Sequence, residues 1–184
     1  YAYAISVEAS TIDGMIYSLG GEVVKGNTTC FDSLETFRTF EILETLIRDQ
    51  SGYMIPKGSY DDREAFAKDK VAFSIRSSSG IPFMKEGMAG RMEQWAVAPI
   101  PQGDPDKPAT VLFGPNMCIF NTTPEQQQRA WAFLKYFTSP EINVRWALGT
   151  GYVPIRKSAA QDPRIQSFWN EWAYNRAPFD CLSF

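Results

Sequence analysis

The sequence predicts an α/β fold, and three observations carry that expectation. Runs of apolar alternation trade places with runs of helical period along the whole chain. Helix-start signals recur, with a capping side chain set just ahead of a proline or an acidic turn, at Asp32, Thr123-Pro124, Ser139-Pro140 and Asp162-Pro163. Glycine and proline mark the joints between these runs, as at Gly20-Gly21, Pro99-Ile100-Pro101 and Gly114-Pro115.

In chain order, Tyr1 to Val7 alternates aromatic, small and branched residues, and Met15 to Leu19 reads as a short helix closed at Gly20-Gly21. Val23-Val24 and the polar stretch that follows predict a strand and turn. Asp32 caps the next helix, with Glu35 reaching back. Phe37, Phe40, Leu43 and Ile47 have the spacing of one buried face, and the helix runs to about Asp49. A further helix opens at Asp61 with acidic residues at its positive end. It hands over at Lys68-Asp69-Lys70 to an alternating strand, Val71 to Arg76, and a new helix can start at Ile81.

Trp95 to Pro101 reads as a strand entering a proline-stopped loop, and Ala109 to Phe120 as strand on either side of Gly114-Pro115, a break that a ligand can exploit. Two helices follow from Thr123 and Ser139, the first with Ala130, Phe133, Leu134 and Phe137 on its inner face. The second is expected to stop at Gly149 and to present Tyr152 before a proline-stiffened strand. A last helix from Asp162 carries Ile165, Phe168, Trp169 and Trp172, and the tail ends on apolar residues at Phe184.

Composition excludes several classes of function. Hydrophobic residues make up 44% of the 184 and charged ones 21%, the balance of a globular chain with a sizeable core. A net charge of -3 leaves no basic field for a nucleic-acid backbone, so nucleic acid is excluded as a partner. No apolar run is long enough to cross a bilayer, and no signal sequence leads the chain. The absence of histidine removes the commonest general base and metal ligand, and with it any His-based serine triad. Cys30, Cys118 and Cys181 lie too far apart in sequence for a zinc or redox motif. They read as small buried hydrophobes, with one disulfide open to them in an oxidising compartment. No metal site and no cofactor motif is expected.

Two places offer binding chemistry. Tyr152 combines an apolar face with a hydroxyl that donates and accepts, which suits a polyhydroxylated ligand; packing over the core is its other role. Ser77-Ser78-Ser79-Gly80 brings hydroxyls and backbone N–H groups to a helix start, where they serve either a ligand or a plain cap.

Several segments together resemble the extracellular solute-binding proteins of ABC importers, in the maltose-binding and glycerol-3-phosphate-binding group. They are Gly20-Gly21, the helix from Asp32, Phe66-x-x-Asp69-Lys70-Val71-Ala72-Phe73 with Ser78-Ser79-Gly80, and Val97-Ala98-Pro99-Ile100-Pro101-Gln102-Gly103. The paired helices from Thr123 and Ser139 and the run Gly151-Tyr152-Val153-Pro154-Ile155 complete the set. Each is loose alone, but their order covers nearly the whole chain.

The resemblance implies two α/β lobes that close over a ligand by hinge bending, which couples capture to recognition by the permease. It places Ser78, Ser79 and Gly80 at the cleft edge, lines the cleft with Gly114 and gives Tyr152 a ligand contact. Thr11 to Asp13 stands where such proteins often carry a stacking Trp, absent here, so Asp13 joins the candidate set, and Phe83 or Trp95 is left to supply an apolar face. The chain is then one lobe of a type II periplasmic-binding-protein-like fold plus part of the second-lobe excursion. Residues 1–113 form the C-terminal-lobe region, 114–152 the crossover excursion, and 153–184 the truncated return. The start at Tyr1, without methionine, fits processing or a piece cut from a longer chain.

The implied function is capture of a sugar or polyol derivative for import. The partners are the permease's transmembrane subunits, and the place is extracellular or periplasmic, tied to the membrane only through the permease or a lost N-terminal anchor. Two other classes compete. One is a glycoside hydrolase working through the carboxylates Asp13, Asp32, Asp61, Asp62 and Glu64, although most of these sit where they stabilise helix starts. The other is an interaction module without ligand.

Overall fold

The computed structural model describes residues 1–183, so the apolar chain end expected at Phe184 lies outside the described residues. Two compact units divide the chain: one comprises Tyr1–Leu112 with the chain end from Cys181, the other Phe113–Asp180. The α/β expectation holds, with helices predominating.

The first unit is built around β1 (Tyr3–Ile5), every residue of which is buried. Its parallel partner is β4 (Gly52–Met54), in the register Tyr3–Gly52, Ala4–Tyr53 and Ile5–Met54. On the other side Phe73 makes a single parallel bridge to Tyr3, and their rings stack with centroids 5.3 Å apart. A strand covered on both faces alternates its side chains between two cores. Tyr3 and Ile5 point into one, with Ile12, Met15 and Ile16 of α1 (Ala9–Ser18) and Leu43 of α2 (Leu34–Arg48). Ala4 points into the other, with Ile55, Val71 and Ala65 of α3 (Asp61–Ala67). Between α1 and α2 the chain makes a small antiparallel hairpin, β2 (Val24–Lys25) with β3 (Thr28–Thr29).

Several expectations need correction here. The first helix begins at Ala9, earlier than Met15, because Thr11 and Ile12 belong to its buried face. Helix α2 is capped by Ser33, whose hydroxyl accepts from the Thr36 N–H, and not by Asp32. Its buried face is Thr36, Thr39 and Leu43. Of the expected stripe only Leu43 is inside; Phe37, at 67% exposure, points outward with Phe40 and Ile47. Thr39 is tolerated inside because its hydroxyl bonds the Glu35 carbonyl one turn back.

Residues 71–76 make one bridge and no ladder. Residues 95–101 form no strand, since Pro99 and Pro101 lack the N–H donors a ladder needs. Ile100 of this segment and Val111 further along lie close beside Gly14 of α1. Gln102 closes the loop after it by accepting from the Ala109 N–H. Residues 109–120 also form no strand; from Leu112 onward they are exposed and have no ladder partner among the described residues.

The second unit is helical. Its helices are α5 (Pro124–Phe137), α6 (Pro140–Thr150), α7 (Lys157–Ala160), α8 (Pro163–Glu171) and α9 (Ala177–Asp180), with α4 (Ile81–Gly87) belonging to the first unit. The core joins Val144 and Ala147 of α6, Ala159 and Ala160 of α7, and Ile165 and Trp169 of α8. Thr123 and Asp162 cap as predicted. Helix α5 buries none of its residues; Phe133 is exposed, and Ala130, Leu134 and Phe137 are half-buried. Trp172, half-buried, lies past the end of α8. Helix α6 stops at Gly151, not Gly149, with Gly151 at φ 73°, a conformation in which a side chain is strained. The Val153–Ile155 stretch is irregular rather than strand. Cys118 is exposed, against the expectation of burial, while Cys30 and Cys181 are half-buried.

Candidate functional site

In the first unit, Ser78–Gly80 forms a single 3-10 turn leading directly into α4. Ser77 caps the turn: its hydroxyl accepts from the Ser79 N–H and shares a hydrogen bond with the Ser79 hydroxyl at 3.0 Å. The plain capping role therefore falls to Ser77, with Ser79 as its partner. Ser78, half-buried, keeps a hydroxyl with no hydrogen-bond partner among the described residues. One helical turn further on, Phe83 is 56% exposed, so of the two rings left to supply an apolar face it is the open one. Trp95 is buried, edge-on to Phe66 at 6.5 Å, and belongs to the packing.

Phe83 does not stand alone. The Arg63 guanidinium lies 4.8 Å from its ring centroid and 4.1 Å from that of Tyr60, so one cation sits over two exposed rings. Beside this group, Arg76 forks onto the buried carboxylate of Asp62, bonds Glu8 at 3.1 Å and donates to the Ser59 carbonyl. Ser74 donates to the same Asp62 at 2.5 Å. Burial pushes the Asp62 carboxyl up, but the hydrogen bonds from Arg76 and Ser74, with the Arg76 charge, outweigh it and hold the carboxyl below its ordinary value. Asp13 lies half-buried along α1, and no hydrogen bond or ion pair joins it to the Ser78 cluster among the described residues.

In the second unit, Gly114 is exposed, with open space where a side chain would stand. Tyr152 follows the left-handed Gly151, and its N–H donates to the Thr150 hydroxyl at 3.3 Å. It lines a hollow of about 20 Å³ with Ile165, Phe168 and Trp169, enough for a water and far too small for a sugar ring. Its ring nonetheless remains 42% exposed, 6.4 Å from Trp146, which is exposed as well. Trp146 in turn meets Phe137 edge-on at 5.3 Å, and Phe137 stacks on Phe133 at 5.8 Å. The result is a run of open aromatic surface along α5, α6 and the loop that follows.

Sequence reasoning singles out Tyr152 as a candidate but not the rings leading to it, because helical spacing predicts Phe133 and Phe137 on an inner face. It also missed Tyr60, Arg63 and the Asp62–Arg76 pair. One signal was present: Ser74 and Arg76 are two apart in an extended run and therefore face the same way.

Comparisons with known proteins follow the same outline. A family model described as bacterial extracellular solute-binding protein matches residues 2–173. The maltotriose-binding protein of Pyrococcus abyssi (strain GE5 / Orsay) is 25% identical over 173 residues, covering 91% of this chain and 37% of the relative. Among solved structures, the sugar-binding protein MalE from Xanthomonas citri superposes with a TM-score of 0.79 at 18% identity, over 99% of this chain and 46% of that one. UgpB from Mycobacterium tuberculosis, solved in complex with glycerophosphocholine, superposes with a TM-score of 0.74 at 19% identity, again over 99% and 46%. The chain thus spans less than half the length of each of these relatives.

Proposed function

This chain belongs to the bacterial extracellular solute-binding proteins, and from that premise we propose that it captures a sugar or polyol derivative for an ABC importer. The observation that carries the reading is the family match across residues 2–173. The names of the relatives support the ligand class, one being a maltotriose-binding and another a sugar-binding protein. In this reading the candidate ligand contacts are Ser78, Ser79, Gly80, Phe83 and Asp13, together with Gly114 and Tyr152. Trp146 and Tyr152 offer the flat apolar faces on which sugar rings stack. The permease's transmembrane subunits are the partner, and the protein works outside the cytoplasmic membrane, held there by the permease or a lipid anchor.

Capture needs no chemical step, and the carboxylates suit that role. Asp62 is gripped by Arg76, and Glu64 is exposed, with its carboxyl held down by Lys68, so neither is poised as a general acid. A thermal-shift screen of sugars, polyols and their phosphates on the full gene product tests the proposal. A binder is stabilised progressively as ligand exceeds its dissociation constant. Turnover of chromogenic glycosides, or no stabilisation by any carbohydrate, would overturn it.

A further inference from the structure

Arg63 stands apart from the other arginines of its unit. Arg48, Arg76 and Arg91 each meet a carboxylate, and Arg38 is exposed on α2. Arg63 is half-buried, and no carboxylate lies within ion-pairing distance of it among the described residues. Two neighbouring acids are engaged elsewhere, Asp62 by Arg76 and Glu64 by Lys68, while Asp61 is exposed to solvent.

A guanidinium is always charged, and its N–H donors lie in its plane. The rings of Tyr60 and Phe83 hold it through cation–π contact and leave donors in that plane unused. One nitrogen, Nη2, passes beside Gly80, where a Cβ would meet it at 3.6 Å, so the cation borders the turn that carries the unpartnered Ser78 hydroxyl. A fixed cation with unused donors, bordering a turn that carries an unused hydroxyl, matches a group with several acceptor oxygens and a negative charge.

We propose that Arg63 is an anion subsite, taking a phosphate-ester or carboxylate group of the ligand while the Ser78 hydroxyl donates to a neighbouring oxygen. This rests on the carbohydrate-binding reading above and narrows the ligand to an anionic sugar or polyol derivative.

Calorimetric titration of the full gene product with matched pairs tests it: glucose against glucose 6-phosphate and glucuronate, and glycerol against glycerol 3-phosphate. The anionic member is expected to bind at least about 10-fold more tightly in one pair, with an advantage that shrinks as salt is raised. Arg63→Gln should erase that advantage, Arg63→Lys retain part of it, and Ser78→Ala reduce it, with the melting temperature of each variant reporting the fold. Should Arg63→Gln unfold the protein, the Arg63→Lys and Ser78→Ala pair decides. Neutral sugars binding as tightly as their anionic counterparts would overturn the subsite and leave carbohydrate binding standing, as would an anionic advantage that survives the variants. No binding by either member of any pair would overturn both.

Discussion

Asp62 accepts two hydrogen bonds from Arg76, from Nη2 to Oδ1 at 2.6 Å and from Nε to Oδ2 at 2.8 Å, a fork that ties α3 to the segment bridging β1. The carboxylate is 1% exposed. Removing one partner of such a pair leaves an uncompensated buried charge, whereas replacing both with apolar groups does not. Asp62→Asn should therefore cost about 3–5 kcal/mol in urea denaturation, and Asp62→Leu with Arg76→Met should recover most of that loss. The pH dependence has a definite sign. A carboxyl held low in the native state contributes stability above its unfolded value of about 3.9 and loses it as pH falls through the native value. Stability should fall on acidification below about pH 4, and that fall should be shallower in the double variant.

Tyr3 behaves oppositely. Burial first, then the Asp62 charge, raise its hydroxyl to about 12, with Arg76 opposing. Between about pH 10 and 12 the unfolded chain is ionised while the native one keeps its proton, so stability should drop by about 2 kcal/mol over that window. The hydroxyl is also buried without a hydrogen-bond partner among the described residues. Tyr3→Phe should remove the alkaline drop and raise stability at neutral pH by about 1 kcal/mol.

Gly151 and Tyr152 separate structure from binding. Gly151→Ala forces a side chain into the left-handed region and should lower stability by about 1–2 kcal/mol. Tyr152→Ala removes a partly exposed ring and should change stability by less than about 1 kcal/mol, while costing about 10-fold in sugar affinity by calorimetry.

Helix α2 distinguishes its two capping candidates and its two faces. Ser33→Ala should cost about 1 kcal/mol and Asp32→Ala much less. Leu43→Ala should cost about 2–5 kcal/mol, and Phe37→Ser less than about 0.5 kcal/mol, both by thermal denaturation.

These contrasts show where the sequence was legible. Capping motifs at Thr123 and Asp162 read correctly because the signal and the bond it makes lie within one helical turn. The faces of α2 and α5 misread because period identifies an apolar stripe without saying what covers it. The segments at 95–101 and 109–120 misread because alternation is local while a strand also needs a partner. In the candidate site, the proposed contacts Ser78 and Tyr152 are suggested by their neighbours in the chain. Arg63 is not, since its environment comes from Tyr60, Gly80 and Phe83, which only folding assembles.

Arg76 also bears on the order in which the first unit assembles. It bonds Asp62 across 14 residues and Glu8 across 68, and the entropic cost of closing a loop rises with its length. Contacts that join distant segments reward the chain only after the intervening helices have docked. The Glu8 contact, which closes the longer loop, is therefore expected to form late, where an interaction acts chiefly on how fast the native state comes apart. In this protein one guanidinium joins the start of the first compact unit to its middle, and its loss is expected to speed unfolding more than it slows folding.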